Sequence, residues 1–367
     1  MTASLSALVA ALFQPTVASR APGAIGAELE LIPIHAASRR RALPTADARG
    51  PGTAEVVRRA GARAGWLEST DAYGAPSWRT QDSTRAGRIS YEPGGQLEIS
   101  SPVFDSAEEL IAFLTDGVGA LRTTAREYDN ELLTVGVDPF NPIDDVPLVL
   151  HAPRYDRMTA HFERIGPSGI RMMRQTASLQ LNVELGPRPL QRWRLMNAIA
   201  PYLTAAFAAS PTYAGEATGY ASYRAHLWQT LDPSRTGIPY DADDPVAAYA
   251  RFAAAATRIL DDDVAHLTTL FPEVRPRGYY ELRSLDAMEL DDAARAIRLV
   301  HALVTDEERA RAALGIVGEP DAALLATAAR DGLRDATLRA RVDALLTLAA
   351  LTEPGGDDAT PTSRSRR

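Results

Sequence analysis

Five glutamates in this 367-residue chain stand at spacings that could bring their carboxylates together. In Gly26-Ala27-Glu28-Leu29-Glu30-Leu31 the alternation puts Glu28 and Glu30 on one face of an extended segment, with Ala27, Leu29 and Leu31 on the other. Glu92 and Glu98 flank Pro93-Gly94-Gly95 in a stretch, 90–99, that reads as two strands around a turn. In such a turn Pro presets φ and Gly accepts a positive φ. Residues 178–185 keep Gln180, Asn182 and Glu184 opposite an aliphatic stripe, and residues 279–284 place Glu281 and Arg283 on one side. The bland reading is a set of solvated strand faces, which antiparallel sheets ordinarily show. Against it, Glu has poor strand propensity and like charges side by side destabilise a sheet. The crowding asks for a counter-charge, and hard divalent cations carrying phosphate supply one.

The elements needed to hold these residues can be read from pattern and punctuation. Residues 54–64 suggest a short helix and Trp66-Leu67-Glu68 the opening of a strand. Ser106 with Glu109 forms a capping box that should start a helix running to about Tyr128. Residues 132–137 suggest a strand, followed by a Pro-rich connector through Pro153. Residues 191–209 are strongly helical, with Pro201 expected to kink or divide them, and 245–260 form an Ala-rich helix. From about residue 287 to 351 the pattern is almost wholly helical. Strands recur without a βαβ rhythm, so the expected class is α+β, an antiparallel sheet with helices on one face and an open polar cup on the other.

Composition narrows the function classes. The formal net charge of −8, without a long basic tract, argues against nucleic acid as the main partner. With no cysteine, thiol catalysis, disulfides and iron–sulfur clusters are excluded, and zinc sites cannot be built from cysteine. Residues 5–13 are apolar but fall short of the roughly 20 residues that span a bilayer. They read as an amphipathic helix packed on the domain, consistent with a cytoplasmic protein and no membrane partner. The polar segment 353–367 reads as a disordered tail; the length suits two average domains or one large α+β domain, and a single catalytic domain over 1–352 is the expectation.

Taken in order, the motifs resemble those of the glutamate–cysteine ligases of plant and bacterial type. Gly26-Ala-Glu28-Leu-Glu30 is similar to their Gly-x-Glu-x-Glu strand, and Glu92-Pro-Gly-Gly-Gln-Leu-Glu98 to their Glu-Pro-Gly-Gly-Gln-x-Glu hairpin. Gly136-Val-Asp-Pro139 with Pro153-Arg154-Tyr155 resembles a segment leading toward the substrate site. Met172-Met173-Arg-Gln-Thr176 through Gln180 and Asn182 resembles a Met-Met-x-x-Thr…Gln-x-Asn strand. Arg224-Ala-His226-Leu-Trp228, Asp232-Pro-Ser-Arg235-Thr-Gly237 and Tyr280-Glu281-Leu-Arg283 resemble later motifs of the family.

The resemblance implies a sheet curved into a funnel, similar to glutamine synthetase, with helices packed outside. It implies ATP as co-substrate, Mg²⁺ as cofactor, and glutamate joined to cysteine through a γ-glutamyl phosphate. Glu28, Glu30, Glu92, Glu98 and Glu281 would hold the metal–nucleotide complex. Arg224 would grip a carboxylate of glutamate and Arg283 would act on phosphate, both as catalytic residues. Arg154, Tyr155, Thr176, Gln180, Asn182 and Arg235 would bind substrate. His226 stays open between a core and a catalytic reading, and Met172 and Met173 read as packing or rim. Two departures, Ala225 for Ser and Ser234 where a charged residue is common, put the amine acceptor in question. The stretch after Arg283 is closer to actinobacterial relatives that feed ergothioneine synthesis. A sibling carboxylate–amine ligase and a non-catalytic binding protein are the alternatives. Whether the chain is a monomer or a homodimer is not legible from these residues.

Overall fold

The structure, a computed structural model, describes residues 4–15, 23–48, 50–71, 74–80 and 86–350. Its centre is a nine-stranded sheet. The strands are β1 Ile25–His35, β2 Leu67–Thr70, β3 Pro76–Arg79, β4 Arg88–Tyr91, β5 Leu97–Ser100, β6 Asn130–Leu133, β7 Ser178–Val183, β8 Val274–Pro276 and β9 Tyr280–Asp286. Their order is β8-β9-β7-β1-β5-β4-β3-β2, with β6 pairing the distal half of β1. Every pairing is antiparallel. The expected α+β class and sheet type are therefore present.

The alternation read in the sequence decides which face is buried. Ala27, Leu29 and Leu31 join Leu179, Leu181, Leu97 and Ile99 in the main apolar core. After α1 (Leu5–Leu12) and α2 (Thr53–Ala64), that core is roofed by α3 (Ala107–Glu127), a central helix Pro189–Ala206 and the helix Leu290–Thr305. Ser106 caps α3 as the capping box requires, accepting from the Glu109 amide at 3.2 Å. From Leu195 to Ala205 the helix Pro189–Ala206 is buried all round, sandwiched between β9 and the outer helices Glu307–Val317, Leu324–Asp331 and Ala336–Leu348. Pro201 does not divide it.

The polar face is covered differently. Helices α4 (Pro153–Ile165) and α5 (Pro167–Gln175) and a short helix, Tyr223–Thr230, lie over it. Met172 and Met173 thus sit in α5 and not in the strand that the motif suggested; β7 begins only at Ser178. The Ala-rich helix ends at Ala255, short of residue 260. The strand expected over 132–137 is shifted to Asn130–Leu133, while Val137 makes a single bridge to Thr176. An N-terminal helix, Leu5–Leu12, packs on the helix Pro245–Ala255 as expected. The tail expected at 353–367 lies outside the described residues.

The turn between β4 and β5 is set by two glycines with different jobs. Gly95 takes a φ of +81°, and its amide donates to the Glu92 carbonyl at 2.9 Å. Gly94 lets the turn approach the end of α5 so closely that a Cβ would sit 2.0 Å from the Arg174 carbonyl oxygen. Gly94→Ala is expected to cost about 1–3 kcal/mol in urea unfolding, as overpacking does. Gly119→Ala, on an open face of α3 with nothing within 4 Å, should be neutral or gain up to about 1 kcal/mol.

Candidate active site

Cross-strand register brings the expected carboxylates together. Glu30 of β1 stands directly opposite Glu98 of β5, which stands opposite Ser90 of β4. Glu28 stands opposite Gln180 of β7, and Glu281 of β9 opposite Asn182 of the same strand. Together with Glu92, at the mouth of the hairpin, Glu28, Glu30 and Glu98 line one cavity of about 350 Å³ on the polar face. Gln180, Thr176, Arg154, Tyr155 and Arg283 line it too.

Burial, with repulsion from neighbouring carboxylates, holds Glu28, Glu30 and Glu92 above the ordinary carboxyl range. Burial, then repulsion from Glu98 and Glu281, raises Glu28 to about 8. Burial and Glu98 raise Glu30 to about 7, against the pull of Arg224. Glu92 is raised well above a usual carboxylate by burial and by Glu98 and Glu30. The compensating hydrogen bonds are few: Ser178 N to Glu30 at 2.8 Å, Ser100 Oγ to Glu98 at 2.6 Å, Asn182 Nδ2 to Glu28 at 3.3 Å, and, both at 3.4 Å, Gln180 Nε2 to Glu30 and Ser90 Oγ to Glu98. Among the described residues the ion pair to this group is Arg88, 3.8 Å from Glu98.

Glu281 behaves otherwise. Arg275 Nε and Arg283 Nη1 each donate to it at 2.6 Å, and Arg277 Nη1 donates at 3.2 Å. Burial alone would raise its pKa, but Arg275 and Arg283 outweigh it and hold the carboxyl far below its usual range. In this structure Glu281 is the anchor of a guanidinium cluster and not a fifth uncompensated carboxylate. Arg275, Arg277 and Arg283 all line the cavity, as does Arg154, so a positive wall faces the negative one. A register shift between Leu282 and Leu285 interrupts the β9–β7 ladder at Arg283, as bulges beside functional sites do. Arg283 Nη1 then reaches Gln180 Oε1 at 2.6 Å.

Arg224 lies just behind that wall. It is 2% exposed, donates from Nη2 to the Arg283 carbonyl at 2.9 Å, and stacks on Trp228 with its guanidinium carbon 5.1 Å from the ring. Arg283 stacks on the same indole at 5.0 Å. The helix carrying Arg224 is pinned at its start by Ser222, which accepts from the Ala225 amide and donates to Asp286 at 2.8 Å. Arg235 is a correction: it lies outside the cavity, fully buried, and its donors go to Asp232, Thr269 and the Thr257 carbonyl. It braces a loop, with every guanidinium nitrogen already hydrogen-bonded within the protein. Asn182 reaches the site only through Glu28. His226 stacks on Tyr220 at 4.2 Å and is absent from the cavity lining.

Sequence reasoning missed Arg275, Arg277, Trp228 and Met158, all of which line the cavity. The i, i+2 arginines of Arg275-Pro276-Arg277 carried a strand signal that Pro276 between them and Pro272 before them masked. Among the described residues three hollows of larger volume exist, about 440 Å³ beside Arg122, about 510 Å³ beside Leu43 and Val149, and about 360 Å³ beside Phe207 and Leu346. In the first, Arg122 is paired with Glu289 and Glu131 with Arg39, and the second is mostly apolar.

The donor set fits a hard cation in kind, being the carboxyl oxygens of four crowded glutamates. It is not a ready-made cage: among the described residues no group of three or more His, Cys, Asp or Glu is placed to hold a metal ion. Mg²⁺ suits such a site, since it uses one or two carboxylates and completes its shell with water and phosphate. No helix among the described residues is long and apolar enough to cross a membrane.

Comparison with known proteins gives this cavity a family context. The chain matches the sequence profile of glutamate–cysteine ligase family 2 over residues 24–360. It is 32% identical to the glutamate–cysteine ligase EgtA of Mycolicibacterium smegmatis over 305 residues, covering 73% of this chain and 71% of that protein. It is 28% identical to the chloroplastic glutamate–cysteine ligase of Arabidopsis thaliana over 236 residues, 54% of this chain and 45% of the plant protein. In fold it is similar to the glutamate–cysteine ligase of Francisella tularensis, crystallised in complex with AMP, with a TM-score of 0.51 and 14% identity over 89% of this chain and 78% of that one.

The raised carboxylates make stability depend on pH. Glu28 and Glu30 bind protons in the folded state up to about pH 8 and 7, whereas in the unfolded chain they release them near 4.5. Between those values the folded state holds more protons, so stability falls as pH rises through this window and is fully present below it. Glu28→Gln should therefore raise the metal-free thermal midpoint at pH 8 by roughly 2–4 °C and change it little at pH 4.5. Scanning calorimetry at the two pH values checks this.

Proposed function

The chain belongs to glutamate–cysteine ligase family 2, and from that premise we propose that it joins the side-chain carboxyl of glutamate to the amine of cysteine with ATP and Mg²⁺. The observation that carries the reading is the two-sided cavity: Glu28, Glu30, Glu92 and Glu98 on one side, Arg154, Arg275, Arg277 and Arg283 on the other. A cation-attracting wall facing an anion-attracting wall is what phosphoryl transfer to a carboxylate requires, since both reactants are anionic and the transferring group must be neutralised and aligned.

In this account the γ-phosphoryl group of ATP passes to an oxygen of the glutamate side chain, releasing ADP. The amine nitrogen of cysteine attacks the activated carbonyl carbon, loses a proton, and expels phosphate to leave a γ-glutamyl amide. Glu28, Glu30, Glu92 and Glu98 would hold Mg²⁺, which supplies charge neutralisation for the phosphate oxygens. The arginine cluster, stiffened by Glu281 and by the Trp228 indole, orients the anions: Arg283 faces the cavity, and Arg224 places a second positive charge behind it. Gln180 joins the two walls, accepting from Arg283 and donating to Glu30 at 3.4 Å. The similarity to EgtA, higher than to the plant enzyme, supports a product destined for low-molecular-weight thiol synthesis, ergothioneine ahead of glutathione.

The test is ADP release by purified protein with ATP and Mg²⁺, comparing glutamate alone, glutamate with cysteine, and glutamate with other amines. Cysteine-dependent turnover, abolished by chelation, is expected. Turnover with another amine alone would point to a sibling ligase, and none at all to a binding protein. Glu92→Gln is expected to lower kcat by about 10²–10³-fold, the range seen when one electrostatic stabiliser is lost, while retaining the fold. Near-normal turnover in that variant would remove the site from consideration.

A further inference from the structure

Glu273 is a carboxylate that the chemistry above does not use. It precedes β8 by one residue and alternates with Phe271 and Arg275, both of which line the cavity, while Glu273 itself is half-buried and outside the lining. One step beyond the Val274–Leu282 pair it stands opposite Arg283, whose amide donates to the Glu273 carbonyl at 2.9 Å. Its own amide donates to the Gly237 carbonyl at 3.0 Å, so the backbone is pinned on both sides. The ion pairs of the arginines around it go elsewhere: Arg275, Arg277 and Arg283 to Glu281, and Arg224 to Asp286 at 3.8 Å. Burial raises the Glu273 carboxyl, and Ser284, Arg224 and Arg283 draw it back, so both arginines feel its charge. These two guanidiniums share the Trp228 ring, and the Nε of each is buried without a partner.

We propose that Glu273 is a positioning residue acting through Arg224 and Arg283: its negative charge limits how tightly the guanidinium wall holds anions, so that inorganic phosphate leaves once the amide has formed. The inference rests on the ligase reading above and deepens it. Arg224, Arg275, Arg277 and Arg283 outnumber Glu281 and Asp286, and without a further counter-charge the wall would grip every anion it meets. Binding that is equally strong for substrate, transition state and product does not speed the chemical step. It does slow release, which is often the step that sets turnover. A carboxylate set back from the cavity lowers the field at the bound anion without meeting it, because charge acts over several ångströms in a protein interior. Glu281 therefore places the arginines, and Glu273 moderates them.

Titration calorimetry with inorganic phosphate and Mg²⁺, at pH 8.5 to keep the carboxyl ionised, compares wild type with Glu273→Gln, Glu273→Ala and Glu273→Asp. The two variants that remove the charge should bind phosphate about fivefold tighter or more, the scale of one unit charge several ångströms away, and Glu273→Asp should match wild type. In turnover, kcat and the KM for glutamate should fall together in Glu273→Gln, since binding tightens and release slows, whereas a structural defect would raise KM. The unfolding midpoint checks the fold of each variant. Unchanged or weaker phosphate binding in the folded Gln and Ala variants would overturn the proposal, and so would equal tightening in Glu273→Asp. Failure of both charge-removing variants to fold would make Glu273 a structural counter-charge and overturn it too, as would no phosphate binding by any of the proteins. Tighter phosphate binding in the Gln and Ala variants with no turnover on any amine would instead overturn the ligase reading.

Discussion

Carboxylates packed side by side on a buried sheet face cannot all stay ionised unless a positive charge joins them. Everything particular to this molecule follows from that electrostatic debt. Glu30 and Glu98 face each other across β1 and β5, where like charges cost stability. Glu28 and Glu92 lie close enough for both to be raised by Glu98. The fold tolerates the cost because the opposite face of the same strands buries Ala27, Leu29, Leu31, Leu97 and Ile99 in a continuous core. The sheet thus separates two jobs by its alternation: one face stabilises, the other stores the charge that a metal-bound polyphosphate would relieve.

The second half of the design is the positive wall. Glu281 holds Arg275, Arg277 and Arg283 within 3.2 Å, so the cluster does not fly apart under its own repulsion. Trp228 takes Arg224 and Arg283 on one ring and gives both a rigid support. Asp286, bonded by Ser210, Ser222 and the Ala209 amide, fixes the helix that carries Arg224 and Trp228. The positions of the reactive groups are therefore set by buried polar bonds and packing, not by exposed loops.

Much of this was legible before any coordinates. Period-two alternation located β1, β7 and β9, the Pro-Gly-Gly turn located β4 and β5, and the Ser106–Glu109 box located α3, because each signal is local and strong. Membership of the Glu28, Glu30, Glu92 and Glu98 group followed from spacing plus motif order. What the sequence concealed depends on three-dimensional company. Glu281 looks like the other strand glutamates until β8 is seen to place Arg275 directly opposite it. Arg235 looks like a substrate residue until its donors are traced to Asp232, Thr257 and Thr269. Met172 and Met173 belong to a helix because Pro167 opens one just before them, and their cavity-facing role depends on Met158, a neighbour in space from a different helix.

The account stands on a cation-dependent nucleotide site, and equilibrium binding measures that most directly. Calorimetric titration of ATP into the protein should show binding with Mg²⁺ that weakens at least tenfold with a chelator, and Glu30→Gln/Glu98→Gln should lose most of the difference. Equal affinity with and without the metal, or an undiminished metal effect in the double variant, would contradict the account.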